Sequence, residues 1–375
     1  MKIAFYAPLK SPSDPTPSGD RRMAGLIRAA LRVAGHDPIL ASEFRSFEGK
    51  GDPTAQANIR ARAQLELRRA LAQLERKKPA LWFTYHLYYK APDWLGPEIA
   101  RRLEIPYVVA EPAHAPKRAG GAWASGHAAV EDALRRADAA LCLTTLDRAC
   151  VAPLLRSPDR LFDLPPFLDS RLYASAGSER ARHRRDLAVE LGLSFDKHWL
   201  LAVGMMREGP KLASFRELAA ATALLPGEDW RLVVVGDGPA RAHVAAAFAG
   251  DARVVFAGRR DEADLRRFYA AADVAVWPAV HEAYGMALLE AAAAGTPVVA
   301  GRVRGVPDVI VDGVTGFLAE PSSPEDLARK IRDLLDDDEL RTMLGRQAAA
   351  FVARERNLDA AAERLDVALA RARRR

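Results

Sequence analysis

The chain of 375 residues holds only two cysteines, Cys142 and Cys150. Two thiols cannot build a disulfide framework or a cysteine-based zinc site, so a reducing, cytoplasmic setting is the expectation. Long apolar runs are also missing. No stretch approaches the ~20 uninterrupted apolar residues of a membrane span. The opening M-K-I-A-F-Y-A-P enters a strand-like run at once and lacks the apolar core and cleavage site of a signal peptide. No short-period repeat is present, which argues against a solenoid. No Asp-x-Asp pair follows a strand-like run. Asp336-Asp337-Asp338 lies in a charged helical stretch and reads as solvated, so no divalent metal is expected. The net charge is +6, with arginines at Arg21, Arg22, Arg28 and Arg32, from Arg60 to Lys78, and from Arg371 to Arg375. No nucleic-acid motif accompanies them, and a nucleic-acid partner is not expected. Scattered arginine on helices most simply makes a solvated face, and it also suits peripheral attraction to an anionic membrane surface.

What is present is an alternation. Apolar strand-like runs occur at Ile3–Tyr6, near Pro38–Leu40, at Leu81–Tyr85, Tyr107–Ala110 and Ala139–Leu143. They recur at Leu200–Val203, Leu232–Val235, Val254–Ala257, Val274–Trp277 and Val298–Ala300. Ala- and Leu-rich segments of helical period separate them. Continuous Val-rich strands alternating with helices indicate an α/β protein whose parallel sheets are covered on both faces. Two such sets in a chain of this length predict two Rossmann-like domains. The boundaries read as 1–165 for the first domain, 166–197 for a polar linker, 198–353 for the second domain and 354–375 for a terminal helix.

The densest chemistry lies in Val280–Gly301, V-H-E-A-Y-G-M-A-L-L-E-A-A-A-A-G-T-P-V-V-A-G. Glu282 and Glu290 stand eight residues apart, about 12 Å of rise along a helix. A helix starting near Tyr284 and stopping at Gly295 and Pro297 would point the free amides of Gly285, Met286 and Ala287 outward. Such a terminus attracts phosphate through unpaired N–H groups and the helix dipole. Glu282 could then hold sugar hydroxyls and Glu290 a ribose diol, because a carboxylate only accepts hydrogen bonds and has two oxygens. Two solvated helix acids are the plain alternative.

This pattern resembles the acidic signature of the retaining glycosyltransferases of family 4. The next block, Gly305-Val306-Pro307-Asp308-Val309-Ile310-Val311-Asp312-Gly313-Val314-Thr315-Gly316-Phe317-Leu318, is similar to the family's "G-x-x-E-x-I-x-x-G-x-x-G-x-L", with Asp308 in place of Glu. The resemblance implies a GT-B arrangement, two Rossmann-like domains facing across a cleft, with the C-terminal helix crossing back to the first domain. It also implies transfer of a sugar from a nucleoside diphosphate sugar to a glycan or lipid-linked acceptor with retention of configuration. Gly204 would close a strand before a loop in which Arg207 and Lys211 match the family's cations and neutralise the departing diphosphate. Gly236-Asp237-Gly238-Pro239 matches "G-x-G-P" near the nucleotide, although a tight turn needing positive φ fits equally. Gly258 and Arg259 follow a "V-x-F-x-G"-like strand and would lie against the base. Tyr269 reads as core and Asp273 as a cap or turn residue. The donor set is thus Gly19, Gly204, Arg207, Lys211, Gly236, Gly258, Arg259, Glu282, Tyr284, Gly285, Met286, Ala287 and Glu290.

In the first domain, the loop from Ala7 to Arg22 keeps one glycine, Gly19, where the family has a pair. His114 is taken as the family's catalytic histidine, joining Glu282, Arg207 and Lys211, although it stands about two residues late and an ordinary surface histidine fits too. His86 and Glu111, after first-domain strands, are candidates for the acceptor. His127 and Glu131, four apart, read as a local helix pair. The alternatives are a nucleotide-sugar epimerase or sugar phosphorylase on this architecture, or a non-catalytic sugar-nucleotide-binding protein.

Overall fold

The computed structural model describes residues 1–16 and 18–374. Pro17, within the loop after the first strand, and Arg375, the end of the basic tail, lie outside the described residues. The chain divides into two compact units. The first takes residues 1–165 together with the terminal segment from Leu358, and the second takes Pro166–Asn357. Each is built on one six-stranded, all-parallel sheet.

The first sheet comprises β1 (Lys2–Tyr6), β2 (Asp37–Ser42), β3 (Leu81–Leu87), β4 (Tyr107–Pro112), β5 (Ala139–Cys142) and β6 (Leu161–Asp163), in the order β2-β1-β3-β4-β5-β6. Central strands such as β1 and β5 are buried on both faces, which their continuous apolar runs require. Helix Gly19–Val33 is capped by Ser18, whose hydroxyl accepts from the Arg21 N–H. Helix Pro53–Lys77 is capped by Asp52, begins with proline, and is ended by Lys78 in the left-handed region. The C-terminal helix Leu358–Arg373 belongs to this unit. It buries Ala361, Leu365 and Leu369, packs on helix Gly19–Val33, and its Asp366 lies 3.2 Å from Nε2 of His36.

The second sheet comprises β7 (His198–Val203), β8 (Trp230–Val235), β9 (Val254–Gly258), β10 (Val274–Trp277), β11 (Val298–Gly301) and β12 (Gly316–Ala319). Its order, β12-β11-β10-β7-β8-β9, is that of a dinucleotide-binding Rossmann sheet, and it reverses direction between β7 and β10. The first sheet reverses between β1 and β3. In such sheets, ligands bind beyond the carboxyl ends of strands at the reversal.

Three details differ from the sequence reading. The strands β6 and β12 are too short, at three and four residues, to stand out as runs. The segment 166–197, charged enough to read as a linker, carries helices Ser170–Ser178 and Arg180–Leu191 and packs within the second unit. Two of its arginines are tied down: Arg180 and Arg184 bond Asp273, which also accepts from the Trp199 N–H at 2.7 Å. Asp273 is therefore a buried hub and not a simple turn residue. The helix expected from Tyr284 starts at Met286, with Gly285 as its cap at φ +78°. Among the described residues, no helix is long and apolar enough to cross a membrane.

The glycine-rich turn after β8 has a specific structural task. A Cβ on Gly236, at φ +147°, would lie 1.9 Å from the Gly204 carbonyl oxygen, and one on Gly238 would lie 2.3 Å from that of Met206. Backbone bonds stitch the two loops together: Gly204 N–H to Val235, Met206 N–H to Asp237, and Ala240 N–H to Met206, all at 2.9–3.0 Å. Gly236→Ala combines an unfavourable φ with a backbone clash. It is expected to cost at least about 2–3 kcal/mol, measured by urea unfolding; a loss under about 0.5 kcal/mol would mean that the loops separate freely.

Candidate functional site

The loop after β10 and the loop after β7 meet at the reversal point of the second sheet. Lys211, in the first turn of helix Pro210–Ala223, donates to Oε2 of Glu282 at 2.5 Å. The Trp277 indole N–H donates to the same oxygen at 3.2 Å. The Lys211 ammonium also lies 5.1 Å from the Trp277 ring centroid, and that ring meets Phe215 edge-on. A cation over an aromatic face gains electrostatic attraction, so the lysine is held from two sides. Ser214 latches the loops: its Oγ accepts from the Val280 N–H at 3.0 Å and donates to the Pro210 carbonyl. Lys211 and Glu282 remain partly open, at 28% and 19% side-chain exposure, whereas Trp277 is buried.

The acidic loop is strained. Ala279, His281 and Gly285 all take positive φ, at +62°, +52° and +78°. Each non-glycine residue there costs roughly 1–2 kcal/mol, and such strain gathers at functional loops. Gly285 is favoured by its φ, and a Cβ there would stand 2.9 Å from Cδ1 of Leu288, whose side-chain end would have to turn aside.

The other donor candidates fall into place around this pair or away from it. Gly204 packs against Trp277, with a Cβ there coming 3.0 Å from the ring. Arg207 is exposed in the stitched loop, and Arg259 is exposed beyond Gly258. Tyr284 is buried, while Met286 and Ala287 are half-buried in the first helical turn. Glu290 is 3% exposed and accepts from the Tyr269 hydroxyl at 2.7 Å. Tyr269 is in the core, as its sequence context predicts.

A second polar cluster stands at the reversal point of the first sheet. Gly19 opens helix Gly19–Val33, and Asp20 follows it. His86, at φ +60° near the end of β3, has Nδ1 3.0 Å from Oδ1 of Asp20 and 3.9 Å from Oε1 of Glu111. Glu111, at φ +51° near the end of β4, is also left-handed. Two neighbouring parallel strands thus each end in a strained, non-glycine, titratable residue. Burial pushes the Glu111 carboxyl up, against the charge of His86 and the Tyr85 hydroxyl. Burial pulls the His86 imidazole down, but Glu111 and Asp20 together raise it. Burial also opposes ionisation of Asp20, yet its bond to His86 holds it below the usual carboxylate range. His114 is not in this group. It bonds Glu131 at 3.1 Å, beside His127.

Trp277, Ser214 and Asp20 were not singled out by sequence. A tryptophan ending a buried strand just before an acidic loop was the available signal for the first; the other two are ordinary cap-type residues until the fold brings them together.

Residues 204–351 match the family described as Glycosyl transferases group 1. The chain is 34% identical over 200 residues to a D-inositol 3-phosphate glycosyltransferase of Corynebacterium glutamicum, covering 51% of this chain and 47% of that protein. It is likewise 34% identical over 219 residues to the 2-deoxystreptamine glucosyltransferase of Streptomyces kanamyceticus, covering 55% and 53%. The chain thus spans about half the length of the curated relatives it matches. Among solved structures, Anabaena HepE in complex with UDP superimposes with a TM-score of 0.76 at 17% identity, covering 99% of this chain and 100% of that one. Sucrose-phosphate synthase of Thermosynechococcus elongatus gives 0.72 at 20% identity, covering 98% and 97%. These likenesses are of fold.

The first-unit cluster predicts a pH effect. A histidine whose folded pKa is raised contributes stability below its unfolded value, near 6.5, and that contribution fades as pH rises through the folded value. His86→Gln should therefore lower Tm most below about pH 6.5, with the gap to wild type narrowing towards alkaline pH. A gap independent of pH would show that the charge on His86 does not matter.

Proposed function

We propose that this chain, whose residues 204–351 match the glycosyl transferases group 1, moves a sugar from a nucleoside diphosphate donor to an acceptor hydroxyl with retention of configuration. One observation carries the reading: Lys211 and Glu282 form a partly open ion pair at the sheet reversal, ahead of the amino end of helix Met286–Ala293. In the reaction, the bond from the anomeric carbon to phosphate breaks while a bond to the acceptor oxygen forms on the same face. The departing diphosphate keeps the electron pair and takes the acceptor's proton. Negative charge therefore grows on the leaving group, and a cation fixed beforehand stabilises that state more than the ground state. Lys211 is such a cation, held by Glu282 and Trp277. Arg207 adds a second from the loop anchored by Gly236 and Gly238. Glu282 has a further role opposite the sugar, where positive charge develops at the anomeric carbon. These fixed cations and the helix terminus make a divalent ion unnecessary to the transfer step in this proposal.

The nucleoside is held by the second unit, with Glu290 and the backbone at Gly258 and Arg259 as the proposed contacts. The first unit supplies Asp20, His86 and Glu111 to a hydroxyl-bearing acceptor. Because the chain spans only part of the named relatives, no acceptor of theirs is assigned to it. The arginines of helix Pro53–Lys77 that face solvent, including Arg62, Arg68 and Arg76, support peripheral attraction to anionic lipid. Cosedimentation with phosphatidylglycerol vesicles should occur at low salt and vanish near 1 M salt, where screening shortens to about 3 Å; no sedimentation at low salt would remove that part of the proposal.

A thermal-shift screen of nucleoside diphosphates and their sugars tests the central reading, since ligand stabilises by RT ln(1 + [L]/Kd), about 2.7 kcal/mol at a hundredfold excess over Kd. One base should raise Tm, and Lys211→Met should weaken that ligand. Glu282→Gln should leave nucleoside diphosphate binding within a few-fold and reduce transfer by about 100-fold or more. No stabilisation by any nucleoside diphosphate would overturn the proposal.

A further inference from the structure

His114, His127 and Glu131 carry an observation that sugar transfer leaves unused. His127 lies on helix Ala124–Arg136 and is 3% exposed. Its Nε2 is buried without a hydrogen-bond partner, and its Nδ1 is 4.0 Å from Oε1 of Glu131, beyond hydrogen-bond distance. His114 comes from the loop after β4. Its side chain is 9% exposed, its Nε2 is 3.1 Å from the same Glu131 oxygen, and its Nδ1 is buried without a partner. The two rings lie 4.9 Å apart. The nitrogens that face the carboxylate are Nε2 of His114 and Nδ1 of His127, 3.1 and 4.0 Å from Oε1 of Glu131, so two buried imidazoles and one carboxylate oxygen surround one point.

A divalent cation suits the set. One donor atom from each residue falls within 4.8 Å of the others. Zinc ligand bonds of about 2.0–2.2 Å put tetrahedral ligand atoms roughly 3.3–3.5 Å apart, so each side chain needs to move by less than about 1 Å. Glu131 is well suited to ligation. Arg135, at 3.0 Å from Oε2, leaves Oε1 to the histidines and orients the carboxylate from outside. Glu131 is 26% exposed at its side chain, which gives an ion a way in from solvent.

We propose that His114, His127 and Glu131 form a zinc-class metal site with a fourth position open to water, tying the loop after β4 to helix Ala124–Arg136. The site is separate from the transfer chemistry. Its effect is on the first unit, where it fixes the loop that follows Glu111.

Isothermal titration of the full chain with zinc chloride, after dialysis against chelator and its removal, provides the test. Saturable binding of one ion per chain is expected, with a rise in Tm. Glu131→Gln and His127→Gln should each weaken binding by about tenfold or more and abolish the rise in Tm, while Cys150→Ser, which removes the exposed thiol, leaves both unchanged. Circular dichroism matched to wild type establishes that the variants are folded; if His127→Gln does not fold, Glu131→Gln and His114→Gln decide. Absence of saturable binding, or binding that survives Glu131→Gln, overturns the site. Nucleoside diphosphate stabilisation in the same variants reads the transferase proposal separately, so either can fail without the other.

Discussion

The parallel sheet imposes the constraint from which the site in the second unit follows. All six strands run the same way, so every following loop emerges on one edge, and the change of order between β7 and β10 parts two of those loops. The gap is closed by an ion pair, Lys211 from one side and Glu282 from the other. A bare surface pair of this kind contributes little, about 0–1 kcal/mol. This one is different because Trp277 and Ser214 hold both loops, and because Gly236 and Gly238 let the backbone beneath come into direct contact. The position of the charge is set by backbone packing below it, which is what a preorganised cation needs.

The first sheet applies the same rule at its own reversal, with different chemistry. There, Asp20 from a helix start meets His86 and Glu111 from two strand ends. No glycine relieves the backbone at His86 or Glu111, although both are left-handed. The fold carries this strain for the sake of the side chains, since glycine would remove it.

Much of the fold was legible because its signal is local. Val-rich runs such as Leu232–Val235 suit strands buried on both faces, and ten of the twelve strands announce themselves as apolar runs. The exceptions are instructive. Strands β6 and β12 borrow their pairing from a neighbour and need little apolar length of their own. The segment 166–197 reads as a linker because it is rich in arginine, yet Arg180 and Arg184 are drawn to Asp273, a residue some ninety positions away. Charge along a chain says how many ions there are and nothing about which of them find partners. The same holds at the site. Glu282 was singled out by its spacing from Glu290 and Lys211 by the family resemblance, while Trp277 and Asp20 depend on which strands become neighbours. The position of His114, beside His127 and Glu131, was likewise fixed by the packing of a helix against the loop after β4.

The indole of Trp277 lies against a fixed ammonium and shares its hydrogen with a carboxylate. The chain has six tryptophans, and this one is in contact with both members of the Lys211–Glu282 pair. Its emission must respond to any molecule that draws the lysine away. The second unit therefore carries a built-in optical gauge of any ligand that reaches this ion pair, readable without a label once the other five indoles are accounted for.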